Sequence, residues 1–223
     1  MAKGRAQLLS VALLLLLWQV IAWLRLWPPY LFPAPLDVAA TLWRLTASDE
    51  LPVAILHTVK RIGLGFAVSA AAGGLLGLTM ARSRRLSELA GPAVQGLQAM
   101  PSICWFPLAV LWIGWNEGAL LFVTIAGALF AIAAATEAGI RNIPPTYLRA
   151  AATMGARGWR LYSRVVIPAA LPSLLTGLRL GWSFAWRSLM AAELLFLNLG
   201  LGHLLGMGRD LGDAAQVMAV ILV

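Results

Sequence analysis

The chain has 223 residues, 61% of them hydrophobic and 12% charged, with a mean hydropathy of +0.82. Soluble domains carry about 25% charged residues, so this composition points to an integral membrane protein and excludes an ordinary water-soluble fold. The net charge of +8 does not mark a nucleic-acid binder: the basic residues are not interleaved with aromatics on a polar face but sit at the ends of apolar runs, where the positive-inside rule puts them.

Taken in order, residues 1–7 carry Lys3 and Arg5 and are expected on the cytoplasmic side. Residues 8–25 read as the first transmembrane helix, flanked by Trp18, Trp23 and Trp27. The apolar run exceeds the core of a signal peptide and no A-x-A site follows, which favours an uncleaved span. Residues 26–57 form a periplasmic segment, interrupted by Pro28, Pro29, Pro33 and Pro35, with a short surface helix over Val38–Leu45. Residues 58–223 form the transmembrane core.

The second span, Thr58–Met80, is rich in small residues, among them Gly65, Gly73, Gly74 and Gly77, which allow helices to approach closely in lipid. Arg82, Arg84 and Arg85 mark a cytoplasmic turn. The third span, Leu89–Ile113, contains Pro92, Pro101 and Pro107. Internal prolines are tolerated where a neighbouring helix or a cavity satisfies the freed carbonyls, so the segment is either a broken helix lining a pathway or a kinked packing helix. Asn116 and Glu117 form an outer turn, and Leu120–Ala135 is the fourth span. Leu174–Leu197 is the fifth, and Asn198–Asp213 is expected as an outer amphipathic hairpin with His203 solvated, as is His57. Ala214–Val223 opens a sixth span but falls short of the ~20 residues needed to cross, so the protein is expected to continue past Val223. The expectation is an all-α integral membrane fold of about six transmembrane helices. Eleven basic residues then fall inside and five outside, with Arg187 within a span, which supports a cytoplasmic N-terminus.

Between the fourth and fifth spans lies the longest polar-leaning interruption, Ile143–Pro172, with Arg149, Arg157, Arg160 and Arg164 and no acid. Thr146–Met154 favours helix, and Gly155 offers a left-handed stop. A second helical run, Trp159–Val166, is expected to end at Pro168, with Pro172 at the mouth of the next span. The segment is thus a helix–Gly–helix elbow.

The pattern Arg149-Ala150-Ala151, Gly155-Ala156, Ile167-Pro168 and Leu171-Pro172 resembles the "EAA" loop of ABC importer permeases, which docks on the ATPase; Arg149 stands where that family often has glutamate. The bland alternative is an Ala-rich connector that touches nothing, disfavoured by the length, the Gly and Pro brackets and the four arginines. Leu31-Phe32-Pro33-Ala34-Pro35 and the stretch Pro101–Gly114 resemble segments of the nitrate/sulfonate/taurine branch. The resemblance implies a cytoplasmic coupling loop at 139–172 and ATPase contact through Leu148, Arg149, Ala150, Ala151, Met154, Gly155, Ala156 and Arg157. Pro168 and Pro172 would tie that loop to the fifth span. It implies a pathway near Pro101, Ser102, Pro107 and Trp112, to which Arg187 and Glu193 are added as ionisable groups within the fifth span. It also implies two permease copies, two cytoplasmic ATPases carrying ATP and Mg, and a periplasmic or lipid-anchored binding protein, all in a bacterial cytoplasmic membrane, with a small anion as substrate.

Ionisable groups at membrane depth are functional candidates, because each costs roughly 2.5–3.5 kcal/mol on insertion scales. Arg187 could hold an oxyanion with its planar fork, or pair structurally with a neighbouring helix; Glu193, nearer the outer end, reads as structural. A secondary transporter or channel that uses Arg187 without any ATPase is the rival reading. No P-loop lysine follows a glycine, since Lys3 and Lys60 follow Ala2 and Val59, so no ATP is expected on this chain. Hydrolase and protease motifs are missing from the sequence. Two dispersed histidines and one cysteine make no metal site. The apolar neighbours of Cys104 imply inert packing.

Overall fold

The computed structural model describes residues 2–196 and 198–223, with the side chains of 2–6 and 8 left aside. The expectations on Lys3, Arg5 and Leu197 therefore lie outside the described residues. The described chain is all-α. Its helices are α1 (Ala2–Trp23), α2 (Pro35–Ala47), α3 (Glu50–Arg82), α4 (Arg84–Ala99), α5 (Trp105–Ile113), α6 (Glu117–Arg141), α7 (Pro145–Thr153), α8 (Trp159–Leu195), α9 (Leu201–Asp210) and α10 (Ala214–Ile221).

Three helices, α3, α6 and α8, are long and apolar enough to cross a membrane. The pair α4 and α5 adds a fourth only if a bend of 97° is taken as one broken span. Among the described residues this gives three clear spans, not the expected six: the described apolar part of α1, Leu9–Trp23, is shorter than a span, and α10 has eight residues. On α1, Leu9, Leu13, Leu14 and Leu16 are exposed in a row, a surface that water disfavours and lipid accepts.

Two compact units divide the chain, Val59–Ala192 and Met1–Thr58 with Glu193–Val223. In the first, α6 is the most enclosed helix, with Leu120, Val123, Ala128, Ile132 and Ala133 buried. Its start is capped by Asn116, whose Oδ1 accepts the Gly118 N–H at 2.8 Å. The small face expected on the second span meets α6: a Cβ at Gly73 would stand 2.5 Å from the Leu129 carbonyl oxygen, and one at Gly77 would collide with the Ala133 carbonyl. Gly63 and Gly74 face open space, so the small residues do not all serve packing. Ser69 joins the same seam, donating to carbonyls of Gly65 and Ile125.

Pro92 and Pro107 lie within helices; the break falls at Pro101, where Met100 turns extended and a 3-10 turn, Ser102–Cys104, starts α5. Pro107 is tolerated because it sits in the first turn of α5, where its missing N–H is not needed. Cys104 is exposed in that turn, not packed, because the break lifts it off any helix face.

In the second unit, the Trp18 indole donates to the Pro33 carbonyl at 3.0 Å, and α2, wider than Val38–Leu45, buries Val38 and Leu45. The expected hairpin at Asn198–Asp213 is instead a ten-residue helix, α9, followed by the start of α10, which Asp213 caps through the Gln216 N–H. The glycines that suggested a hairpin lie on the buried face of α9, together with Leu201 and Leu204. His57 and His203 are half-buried.

Candidate functional site

The elbow is built from short-range chemistry. Pro145 opens α7 at a position where its fixed φ suits the first turn. At the other end Gly155 adopts φ +80°, the Gly155 N–H donates to the Ala152 carbonyl at 3.0 Å, and the Ala156 N–H reaches back to Ala151 at 2.9 Å. These two bonds are the Schellman pattern, which closes a helix when the residue after the cap is left-handed. The chain then turns through Gly158 into α8. Ile143, Val166 and Ala170 form a small buried core under the bend, joined by Leu148, Leu161, Tyr162 and Leu174. The Arg82 guanidinium lies 5.7 Å from the centre of the Tyr162 ring, tying the end of α3 to the second arm.

Contrary to the sequence expectation, the second arm does not end at Pro168. It passes through a π-helical turn, Tyr162–Val166, in which the Ile167 N–H reaches the Tyr162 carbonyl, and continues to Leu195 as one 37-residue helix. The wider turn lies just ahead of Pro168, which has no N–H to return to the chain, and so the helix absorbs the proline instead of stopping. Pro172 likewise lies inside the helix.

Of the eight elbow residues singled out, Arg149, Ala150, Met154, Gly155 and Arg157 are exposed, and Leu148 and Ala156 are half-buried. Ala151 is 1% exposed and Met154 80%. Ala151 therefore packs inside the elbow itself, while Ala150, Met154, Tyr147 and Trp159 are exposed.

A second site lies at the α4–α5 break. A cavity of about 390 Å³ is lined there by Gln98, Pro101, Ser102, Trp105, Phe184 and Arg187, among others. Three of the six suspected pathway residues, Pro101, Ser102 and Arg187, thus share one cavity. Pro107 and Trp112 are exposed elsewhere on α5, with Trp112 packed edge-on to Phe122 at 5.9 Å. Arg187 is exposed; its Nε donates to the Ser183 carbonyl at 3.2 Å and its guanidinium stands 5.2 Å from the Phe184 ring centre. No carboxyl among the described residues pairs with it.

The profile of a protein family described as the binding-protein-dependent transport system inner membrane component matches residues 73–223, which include both sites. The chain belongs to this permease family. It is 35% identical over 167 residues to a protein assigned as an ABC transporter permease in Methanocaldococcus jannaschii, covering 74% of this chain and 62% of that one, less than two thirds of its length. It is 30% identical over 216 residues to a protein assigned as the aliphatic sulfonates transport permease SsuC of Bacillus subtilis, covering 97% of this chain and 78% of the relative. With the taurine transport system permease TauC of Escherichia coli it shares 28% over 219 residues, covering 96% and 80%.

In this permease, Glu193 is not one of the residues that line the break cavity. It is fully buried, with the Thr58 hydroxyl 2.8 and 3.1 Å from its two carboxyl oxygens and the Gly202 N–H donating to one of them at 3.1 Å. Another polar cluster ties α4 to α6: Arg141 donates to Glu137 at 3.0 Å and to Ser87 at 2.5 Å, and Ser87 in turn donates to Glu137. Arg61, nearly buried, pairs with Glu117 at 2.9 Å. Among the described residues no cluster of three or more His, Cys, Asp or Glu offers a metal site. Sequence reasoning did not single out Gln98 or Phe184 at the cavity, while Trp105 lies in the segment read as lining a pathway. Gln98 carried a usable signal, as a polar amide three residues before a proline in an apolar run.

Proposed function

We propose that this permease is a subunit of an ABC importer that works as a dimer and couples to cytoplasmic ATPases through residues 143–172. Two ATPase subunits hold ATP and Mg, and a periplasmic or lipid-anchored binding protein delivers substrate. Residues 1–7 are cytoplasmic, 8–25 make the first crossing, 26–57 are periplasmic, and 58–223 carry the core, with the coupling loop at 139–172 in the cytoplasm. The chain crosses the membrane several times, with α3, α6 and α8 as its long spans.

The observation that carries this reading is the unbroken α8, Trp159–Leu195, which joins the elbow to Arg187 at the break cavity. From Trp159 to Arg187 a helix spans roughly 42 Å. ATP binding draws the ATPases together, the elbow follows as one piece because its core and Schellman closure fix the angle between its arms, and α8 carries that displacement to the cavity. Pro168 and Pro172 ride within the same helix. The substrate is a small molecule that carries an oxyanion, such as a sulfonate, taurine or nitrate. The relatives named for aliphatic sulfonates and taurine support this, as does the Arg187 fork beside Pro101 and Ser102.

The test is to reconstitute the complex with Ala150→Trp or Gly155→Pro. Loss of substrate-stimulated ATP hydrolysis and uptake, with the permease still folded, is the expected result; wild-type coupling in both variants would sink the docking role.

A further inference from the structure

We propose that the break cavity is built for a small zwitterion, with its oxyanion at Arg187 and its ammonium at the uncapped end of α4. This rests on reading the cavity as part of the substrate pathway. The last carbonyls of a helix point along its axis and carry partial negative charge. At this end the N–H that would serve the Leu97 carbonyl belongs to Pro101 and does not exist. The next two carbonyls, of Gln98 and Ala99, receive no backbone donor from the 3-10 turn that follows, whose Cys104 N–H goes to Pro101. No αL residue closes the helix, because Met100 is extended, at φ −66° and ψ 135°. Unserved carbonyls are tolerated at membrane depth only where they face protein or a polar cavity, and Leu97, Gln98 and Ala99 all line the cavity.

The other pole is Arg187. Its Nε is engaged by Ser183 and one face rests against Phe184, which orients the fork without neutralising it. The same cavity of about 390 Å³ therefore holds one full positive charge and one helix end of opposite sign, with Ile103 and Trp105 as apolar wall. A bare oxyanion satisfies Arg187 but leaves the carbonyls unserved. An alkylsulfonate is worse, since it lays methyl groups against them and strips their water. A short molecule with an oxyanion at one end and an ammonium at the other satisfies both poles, and broken-helix ends serve charged groups in this way at membrane depth.

Cys104, exposed in the turn between the lining residues Ile103 and Trp105, is the chain's one cysteine and reports occupancy. The experiment labels the permease in its native membrane with a neutral maleimide, without binding protein, in the presence of taurine or propane-1-sulfonate. These two probes differ by a methyl in place of the ammonium. Taurine is expected to slow labelling at concentrations at least tenfold below those of propane-1-sulfonate, Arg187→Gln to remove the protection, and Arg187→Lys to keep part of it. Cys104→Ser, the control, removes the labelled band. Equal protection by the two sulfonates overturns the zwitterion assignment and leaves a plain anion pathway standing. No protection by either, with Arg187→Gln still losing uptake, overturns it in the same way. Wild-type uptake and labelling in a folded Arg187→Gln permease overturns both this assignment and the pathway reading.

Discussion

The Thr58 hydroxyl stands 2.8 Å from Oε2 of Glu193 and accepts the Leu201 N–H at 2.9 Å, so one side chain serves a buried acid and the first turn of α9 together. Removing that hydroxyl deprives both of a partner in a buried place, a loss of about 1–3 kcal/mol. Thr58→Val is therefore expected to lower the melting temperature of the detergent-solubilised permease, and Thr58→Ser to restore it. Equal melting of the valine and serine variants would show that the hydroxyl holds nothing.

The seam between α3 and α6 makes a sharper demand. Gly73 and Gly74 are neighbours in sequence, yet only a Cβ at Gly73 meets backbone, 2.5 Å from the Leu129 carbonyl oxygen. Overpacking of this kind costs about 1–3 kcal/mol, occasionally more. Gly73→Val is expected to reduce the yield of folded permease and its thermal stability, while Gly74→Val stays near wild type. Similar losses at both positions would mean that close approach to the Leu129 carbonyl does not decide the outcome, since helix propensity alone favours valine over glycine.

How far the sequence could be read depended on the range of the forces involved. The elbow was legible because its determinants are local: Pro145, Gly155 and the alanine-rich run specify α7 without help from the rest of the chain. The break at Pro101 was legible as one of three prolines, but nothing in the sequence separates it from Pro92, which α4 absorbs in its interior, or from Pro107 in the first turn of α5. The continuation of α8 past Pro168 was hidden, since a π-helical turn leaves no compositional mark. Glu193 could be placed in a span from sequence, but its partner Thr58 is 135 residues away and no periodicity connects them. Ala150 and Ala151 are identical in sequence terms; only the packing of α7 on the elbow's second arm distinguishes them.

Arg82 and Tyr162 offer a test of whether the end of α3 takes part in coupling. A cation over an aromatic face contributes about 0.5–1 kcal/mol at exposed sites, too little to unfold the chain. Tyr162→Leu is expected to leave melting within about 4 °C of wild type, while weakening the link between ATP hydrolysis and uptake, measured as substrate moved per ATP in proteoliposomes. An unchanged ratio would confine this contact to packing.

The last prediction separates docking from folding at the elbow. Ala150 is exposed and Ala151 is 1% exposed, one residue apart on α7. A tryptophan at 151 must displace the elbow's own second arm, so Ala151→Trp is expected to lower stability by about 1–3 kcal/mol and to lose coupling as a consequence. At 150 the same side chain points away from the protein, so Ala150→Trp keeps wild-type melting and loses co-purification of the ATPase. Gly155 supplies the third arm of the comparison. At φ +80° an L side chain costs roughly 1–2 kcal/mol, so Gly155→Ala falls between the two, mildly destabilised and partly coupled. If Ala150→Trp still brings down the ATPase in full amount, the exposed face of α7 is not the docking surface, however well the elbow is folded.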